Sequence, residues 1–404
     1  MKMLRHNAVT SAILGALWMV VLSTTIAIVM SFATGDPFRP HILLSLIWGG
    51  SAGVILGRDL GGRIGAVLVA VAIAAACLLG LGPLLVGVEA SAFSASVAAI
   101  LLALSFVWSS VLILNDLPTG GLTRHEFEGA VIRFLTGFGY IFFTAIVLIP
   151  FYVMVMTSLK NQAELMQNPL DFSIDLSQGW ALFRSYDELF TQFNFGTYLF
   201  NSFTISVLTV FITLAFAIPG AYAVARLRFR GRAAFSRSIL LIYMVPMIVL
   251  ALPIYIGFSM TGLRNSLWGI VMIYPVTTIP VALYMLQGYF RGLPAEIEEA
   301  GLMDGLSRLA VIWKITLPLS LPALASVSLY IFMIAWNEFL LAFMLLDDPS
   351  RFTLTRGIAS LNSSEIPRQH LMAGSVVATV PIMALFLGLE RFMTKGLTAG
   401  SVKG

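Results

Sequence analysis

The side chains that could carry catalytic or metal chemistry are few in this 404-residue chain. Its four histidines (His6, His41, His125 and His370) show no HExxH or similar metal-ligand spacing. The single cysteine, Cys77, lies in an apolar run, so no disulfide framework is possible. The sequence also lacks a GxxxxGK[ST] segment that would hold the phosphates of ATP. These patterns predict a chain that is not itself an NTPase or a metalloenzyme.

Polar residues do gather in one stretch, EAGLMDGLSRLAVIWKITLP, which runs from Glu299 to Pro318. The acids that precede and open it suit the first turns of a helix, because the helix dipole favours negative charge there. Asp304 and Gly305 then predict a turn, in which Gly305 can adopt a positive φ and Asp304 can cap a second helix over about 306–315. Apolar positions recur at helical spacing after the turn, so we predict two short helices joined at a bend.

Long apolar runs on both sides of this stretch determine the fold class. The composition is 58% hydrophobic and 11% charged, which exceeds the apolar share of an ordinary soluble domain. Since a spanning helix needs about 20 apolar residues, we predict an all-α, polytopic helical membrane protein with about ten transmembrane helices. The candidate spans are 9–32, 42–57, 64–88, 91–114, 130–156, 197–225, 236–259, 266–290, 317–342 and 371–392.

The placement of Lys and Arg predicts the orientation. With the N-terminus inside and the sides alternating, 17 of the 24 basic residues fall on cytoplasmic segments. This bias predicts that both termini and the polar loop 292–316 are cytoplasmic, and that the loop 158–196 lies outside. A turn-rich segment near residue 120 separates four N-terminal spans from six C-terminal ones. The predicted domains are therefore an extension over 1–115, a cytoplasmic linker over 116–129 and a six-helix domain over 130–404.

The polar stretch resembles the EAA loop of ABC-importer permeases, whose motif is Glu-Ala-Ala, three residues, Gly, nine residues and Ile-x-Leu-Pro. The matching positions are Glu299, Ala300, Gly301, Gly305, Ile315, Leu317 and Pro318. Gly301 replaces the second alanine of the motif. The segments 201–232, 336–342 and 373–404 are also similar to the carbohydrate-uptake branch of that family, specifically to the second permease subunit of the maltose-type systems. The resemblance covers roughly 130–404 and leaves the first four spans outside.

The resemblance implies the permease subunit of an ATP-driven importer for a sugar, an oligosaccharide or a glycoside, in the cytoplasmic membrane of a prokaryote. It implies a heterodimer with a second permease subunit, together with two ATPase subunits that bind ATP and magnesium and an extracytoplasmic sugar-binding protein. The complex would lie in membrane lipid, and no nucleic acid is expected as a partner. The chain itself would be non-catalytic and bind no cofactor. Coupling to the ATPases would be carried by Glu299, Ala300, Gly301, Asp304, Gly305, Leu306, Ile315, Leu317 and Pro318.

Residues of the substrate pathway are harder to select from the sequence. Sugars need hydrogen bonds to hydroxyl groups and aromatic stacking, and Asn337 and Glu338 fall at the outer boundary of their span by helix length. The candidates are Asn201, Tyr274, Tyr284, Asn337 and Glu338. For each of them, helix packing or a plain interfacial position is the alternative interpretation.

Two other classes of membrane protein remain as alternatives. An ion-coupled secondary transporter normally needs an ionisable residue near the centre of the bilayer, and the predicted spans carry none there. A membrane-embedded enzyme would need a cluster of Asp, His or similar residues at a membrane face, and the predicted outside loops show no such pattern.

Overall fold

The structure, a computed structural model, describes residues 5–58, 62–87, 90–115, 117–167, 171, 173–363 and 365–398. Its regular structure is almost entirely helical, which confirms the predicted all-α polytopic membrane fold. Among the described residues, six helices are long and apolar enough to cross a membrane, and one bent helix pair makes a possible seventh span. Three shorter apolar helices accompany them. The predicted cytoplasmic termini include residues 1–4 and 399–404, which lie outside the described residues.

The chain forms two compact units, Met1–Leu182 and Phe183–Gly404. The first contains helices and one small sheet. Its elements are α1 (Asn7–Thr34), β1 (Phe38–Pro40), α2 (Ile42–Gly57), α3 (Gly62–Leu78), β2 (Leu84–Val86), α4 (Ala92–Leu114), α5 (Arg124–Ser158) and α6 (Gln162–Gln167). β1 and β2 pair antiparallel, with Arg39 opposite Leu85.

The third predicted span, 64–88, was wrong in its extent. The helix α3 ends at Leu78, because Gly80 adopts a left-handed conformation (φ 71°) that an α-helix does not tolerate. The chain then continues into β2 before α4 begins.

Glycines bring α1 and α2 into close contact. A Cβ atom added at Gly49 would lie 2.4 Å from the carbonyl oxygen of Gly15, and one added at Gly53 would lie 2.3 Å from that of Ser11. Small residues of this kind let the backbones of two membrane helices approach closely. The glycine-rich composition of the second predicted span is therefore explained by packing.

The helix α5 packs against the N-terminal helices. The Trp18 and Phe134 rings meet edge to face at 5.7 Å, and the Tyr152 hydroxyl donates a hydrogen bond to the carbonyl of Phe32 at 2.8 Å. Arg133 Nε also donates to the Ile113 carbonyl at the end of α4 (2.9 Å). Through these contacts α5 belongs to the first unit. The sequence instead predicted the apolar run of α5 as part of the C-terminal domain, 130–404.

The second unit, Phe183–Gly404, holds the polar stretch. Its helices are α7 (Arg184–Thr191), α8 (Phe195–Arg226), α9 (Arg232–Tyr243), α10 (Met247–Met260), α11 (Leu267–Gly292), α12 (Ala295–Met303), α13 (Arg308–Val311), α14 (Leu317–Leu319), α15 (Leu321–Asn337), α16 (Leu340–Leu345), α17 (Leu354–Leu361) and α18 (Arg368–Thr398). A π-helix, Ile312–Thr316, joins α13 to α14. Short 3₁₀ segments occupy Leu176–Phe183 and Pro349–Arg351.

The core of the second unit is formed by α8, α11 and α15. Tyr274 and Phe290 of α11 are fully buried in it. A buried hydrogen bond of 2.7 Å also joins the hydroxyls of Thr213 on α8 and Thr278 on α11. The polar stretch lies between α11 and α15 in the chain, so two of these core helices flank it.

The predicted span 236–259 is not one helix in the structure. It is divided into α9 and α10 at Pro246, which is the N-cap of α10. Proline has no N–H to continue a helix, and it disfavours the helical conformation of the residue before it, so the break falls where the sequence carries Pro246.

Candidate functional site

The polar stretch adopts the bent form that the sequence predicts. Its first helix, α12, follows Pro294 at the N-cap and carries Glu296 and Glu298 in the first turn, where the helix dipole favours acids. The helix ends at Met303 with Asp304 as its C-cap, and Gly305 adopts φ 85°. A residue with a Cβ atom rarely adopts that conformation, so the bend requires glycine at this position.

The second helix begins later than predicted and has a different cap. Ser307 is the N-cap of α13, and its hydroxyl accepts a hydrogen bond from the Ala310 amide at 3.3 Å. The prediction that Asp304 caps this helix was wrong, because Asp304 instead terminates α12 by donating its own amide to the Ala300 carbonyl.

The chain then enters the next span through a sharp bend. A π-helix precedes Pro318, whose ring would collide with the carbonyl four residues earlier in a regular α-helix. The segments 308–319 and 321–337 meet at 81° around Ser320, and Pro322 stands in the first turn of α15. The bent stretch is thus joined directly to the long helix that follows it.

The predicted coupling residues divide into an inward and an outward group. Gly301 is buried, and a Cβ atom at that position would lie 2.5 Å from Ile315 Cδ1, so a small residue lets the two helices close on each other. Leu306 and Leu317 are half-buried. The exposed members are Glu299, Ala300, Asp304, Gly305 and Pro318.

Large apolar side chains extend this outward surface. Met303 is 88% exposed at the end of α12, and Leu309 and Trp313 are each 70% exposed on the second helix. Exposed apolar side chains beside polar ones are typical of a protein–protein contact. We call the exposed side chains of residues 295–313 the outward surface of the loop.

One buried charged residue of the stretch, Glu298, was not among the predicted coupling residues. Its side chain is buried (residue exposure 6%) and lies at an ion-pair distance of 3.3 Å from Arg226 Nε of α8. The Nε group does not meet hydrogen-bond geometry toward any acceptor, so the contact is an ion pair rather than a directed hydrogen bond. The sequence offered no signal that separates Glu298 from its exposed neighbours Glu296 and Glu299.

The five candidate pathway residues do not form one site. Asn201 is buried and donates to the carbonyls of Ser350 (3.2 Å) and Phe352 (3.0 Å), which holds the 3₁₀ segment against α8. Tyr274 is fully buried, and its hydroxyl lies near the Glu338 carboxylate without meeting hydrogen-bond geometry.

The remaining pathway candidates are Glu338, Tyr284 and Asn337. Glu338 accepts hydrogen bonds from the amides of Leu341 (2.8 Å) and Ala342 (3.1 Å) and so stabilises the first turn of α16. Tyr284 is 53% exposed, and Asn337 is also exposed while donating to the Met333 carbonyl of its own helix. The structure therefore gives Asn201 and Glu338 packing partners and leaves Tyr284 and Asn337 accessible.

No group of three or more His, Cys, Asp or Glu side chains is placed to hold a metal ion in the part of the chain that the structure describes. In the second unit, an exposed, bent helix pair lies between two long helices, an arrangement that suits a subunit of a membrane transporter.

Comparison with known proteins agrees with this class. The family described as "binding-protein-dependent transport system inner membrane component" matches residues 217–397. The inner membrane ABC transporter permease protein YcjP of Escherichia coli K12 is 39% identical over 269 residues, which are 66% of this chain and 95% of YcjP. The trehalose/maltose transport system permease protein MalG of Thermococcus litoralis is 33% identical over 279 residues, covering 69% of this chain and 99% of MalG.

A solved structure shows the same fold. The crystal structure of a bacterial ABC transporter involved in the import of the acidic polysaccharide alginate contains a chain that is 25% identical, with a TM-score of 0.56, over 67% of this chain and 98% of that one. Together these matches show that this chain belongs to the family of ABC-importer permeases. It is a non-catalytic, multi-pass subunit of the cytoplasmic membrane, in a family that works with a partner permease, ATPases and a substrate-binding protein.

Proposed function

We propose that this chain forms one half of a sugar pathway and that the outward surface of the loop docks on an ATPase subunit. The observation that carries the proposal is the bent stretch itself. It presents Glu299 and the apolar Met303 and Trp313 to solvent, while Gly301 and Ile315 hold its two helices together. An amphipathic helix with this arrangement suits a groove on a partner protein.

The proposed complex contains this chain, a different second permease subunit and two ATPase subunits, with ATP and magnesium bound by the ATPases. An external binding protein would deliver the substrate. The relative MalG, named for trehalose and maltose, supports a sugar as cargo, in the class of oligosaccharides or glycosides. Within the chain we propose 130–404 as the permease domain, 1–115 as an added helical extension and 116–129 as the linker between them.

We propose that the pathway candidates have two different roles. Tyr284 and Asn337 are exposed, which supports a role for these two in contacting the sugar. The packing contacts of Asn201, Tyr274 and Glu338 favour a role for these three in shaping the wall of the pathway.

Two substitutions test the docking proposal. Glu299→Lys reverses a charge on the outward surface, and Gly305→Pro cannot adopt the left-handed conformation of the bend. We expect both variants to insert into the membrane but to lose co-purification of the ATPase subunits and ATP-driven uptake in proteoliposomes. Asp187→Lys, a charge reversal at an exposed acid on α7, is the matched control and should retain both activities.

Full ATP-driven uptake by either variant would contradict the assignment. Uptake driven by an ion gradient in vesicles that hold this chain alone would instead support a secondary transporter.

A further inference from the structure

Glu298 is the centre of a buried polar network at the base of the loop. Its Oε2 accepts a hydrogen bond from the Tyr222 hydroxyl at 3.2 Å, and its Oε1 accepts one from the Thr316 hydroxyl at 3.1 Å. Arg226 Nε lies 3.3 Å from the same Oε1. Tyr222, Thr316 and Glu298 are all buried, and Arg226 is largely so. Both carboxylate oxygens are therefore engaged away from water.

This network joins three separate elements. Tyr222 and Arg226 lie one helical turn apart at the end of α8, Glu298 is in the first turn of α12, and Thr316 ends the π-helix. Arg226 also donates from Nη2 to the Leu293 carbonyl at 2.7 Å, at the junction between α11 and α12. One arginine thus holds α12 at its entry point and through its first turn.

The neighbouring acids behave differently. Glu296 and Glu299 are exposed, and no ion pair is seen for either of them in the described structure. A buried carboxylate paired with a buried guanidinium is costly to separate, because each charge would then stay in a low-dielectric site without its partner. Separating α8 from α12 would leave both charges unpaired in that site, so the pair resists relative motion of the two helices.

We infer that Glu298 is a positioning residue that locks α12 to the cytoplasmic end of α8, so that the two helices move as one body when the ATPases close. The outward surface of the loop receives the motion, and the Glu298 network passes it to α8. This inference rests on the proposed docking of α12 on an ATPase. It adds that α8 is the membrane helix that moves together with α12.

The test measures the distance between two spin labels in the assembled complex in lipid nanodiscs. Cys77 is the single cysteine of the chain, so Cys77→Ser provides a cysteine-free background, used with cysteine-free partner subunits. Labels at Met303→Cys on α12 and Phe216→Cys on α8 use two exposed positions outside the network. The distance distribution is recorded without nucleotide and after trapping with ATP and vanadate.

With the network intact, and in the control Asp187→Asn, an exposed acid on α7 outside the loop, we expect a narrow distribution that is the same in both states. Glu298→Gln keeps the shape of the side chain but removes its charge, and should broaden the distribution and shift it by several ångströms on trapping. If Glu298→Gln does not assemble, Tyr222→Phe removes a single hydrogen bond of the network and should still broaden it.

Two results would overturn the inference. One is a distance that changes on trapping in the unsubstituted network, since the helices would then move separately. The other is a distribution in the Glu298→Gln or Tyr222→Phe complex that stays as narrow and as constant as in the control. The proposed function fails by a different observation, namely a Met303 label whose mobility does not change when the ATPase subunits are added.

Discussion

Gly301 has no side chain, and this allows Ile315 to approach α12 closely. A Cβ atom there would lie 2.5 Å from Ile315 Cδ1, the end of a side chain that can change rotamer, and at ordinary contact distance from Leu306 and Val311. We expect Gly301→Ala to change the free energy of unfolding by no more than about 1 kcal/mol, because better helix propensity offsets the shift of Ile315. Gly301→Val adds bulk beyond the available space and should destabilise the chain by about 1–3 kcal/mol.

The measurement is the free energy of unfolding of the purified chain, titrated with a denaturing detergent. Ala300→Val is the matched control, since Ala300 is adjacent on the same helix and exposed. Ala300→Val should lower the free energy of unfolding only by the difference in helix propensity between alanine and valine, which is below about 0.7 kcal/mol. Equal destabilisation by the two valine substitutions would show that the contact with Ile315 is not what limits this position.

At the scale of elements, a polar contact ties α7 to the start of α18. The His370 Nε2 and Glu188 Oε2 atoms lie 2.6 Å apart, and Arg184 Nε lies 2.7 Å from the other oxygen of Glu188. Hydrogen bonds from Arg184 and then from His370 lower the pKa of the Glu188 carboxyl from its usual range. These bonds favour the charged form in the folded protein.

This lowered pKa predicts the direction of a pH effect. The stability that Glu188 contributes is fully present above its unfolded pKa, near 4.3, and is lost as the pH falls through the lower folded value. The melting temperature should therefore be higher for the unsubstituted chain than for Glu188→Gln at neutral pH, and the gap should narrow below about pH 4. Asp187→Asn, at the exposed neighbouring position, should show no such narrowing. A gap that stays constant with pH would contradict the role of the carboxylate.

The elements also show what a sequence can and cannot reveal. The long helices were predictable because an apolar run of spanning length is a local property, and the bend at Gly305 was predictable because glycine and the acids around it act locally. The burial of Glu298 could not be predicted, because it depends on contacts with Tyr222 and Arg226, which lie more than 70 positions away in the chain. The pairing of β1 with β2 likewise depends on contacts between distant segments.

At the scale of the whole chain, the N-terminal helices of the first unit differ from the rest in their similarity to known relatives. The relatives YcjP and MalG match about two thirds of this chain, so the remaining third has no counterpart in them. Yet α5 lies in the same compact unit as α1 and α4. The N-terminal helices thus share a core with a helix that the sequence predicts to open the permease domain.

This arrangement predicts how the first unit behaves when it is produced alone. A fragment of residues 1–182 retains the contacts of Trp18 with Phe134, of Phe32 with Tyr152 and of Ile113 with Arg133, whereas a fragment of residues 1–115 loses all three. Since aromatic contacts and buried hydrogen bonds each contribute on the order of 0.5–1.5 kcal/mol, we expect the longer fragment to melt at a clearly higher temperature in mild detergent. Tyr152→Phe in the longer fragment removes only the hydrogen bond to Phe32. It should lower the melting temperature of that fragment by a small part of the difference between the two fragments. Equal melting temperatures for the two fragments would show that α5 adds nothing to the fold of the N-terminal helices, and that the extension over 1–115 is a folding unit by itself.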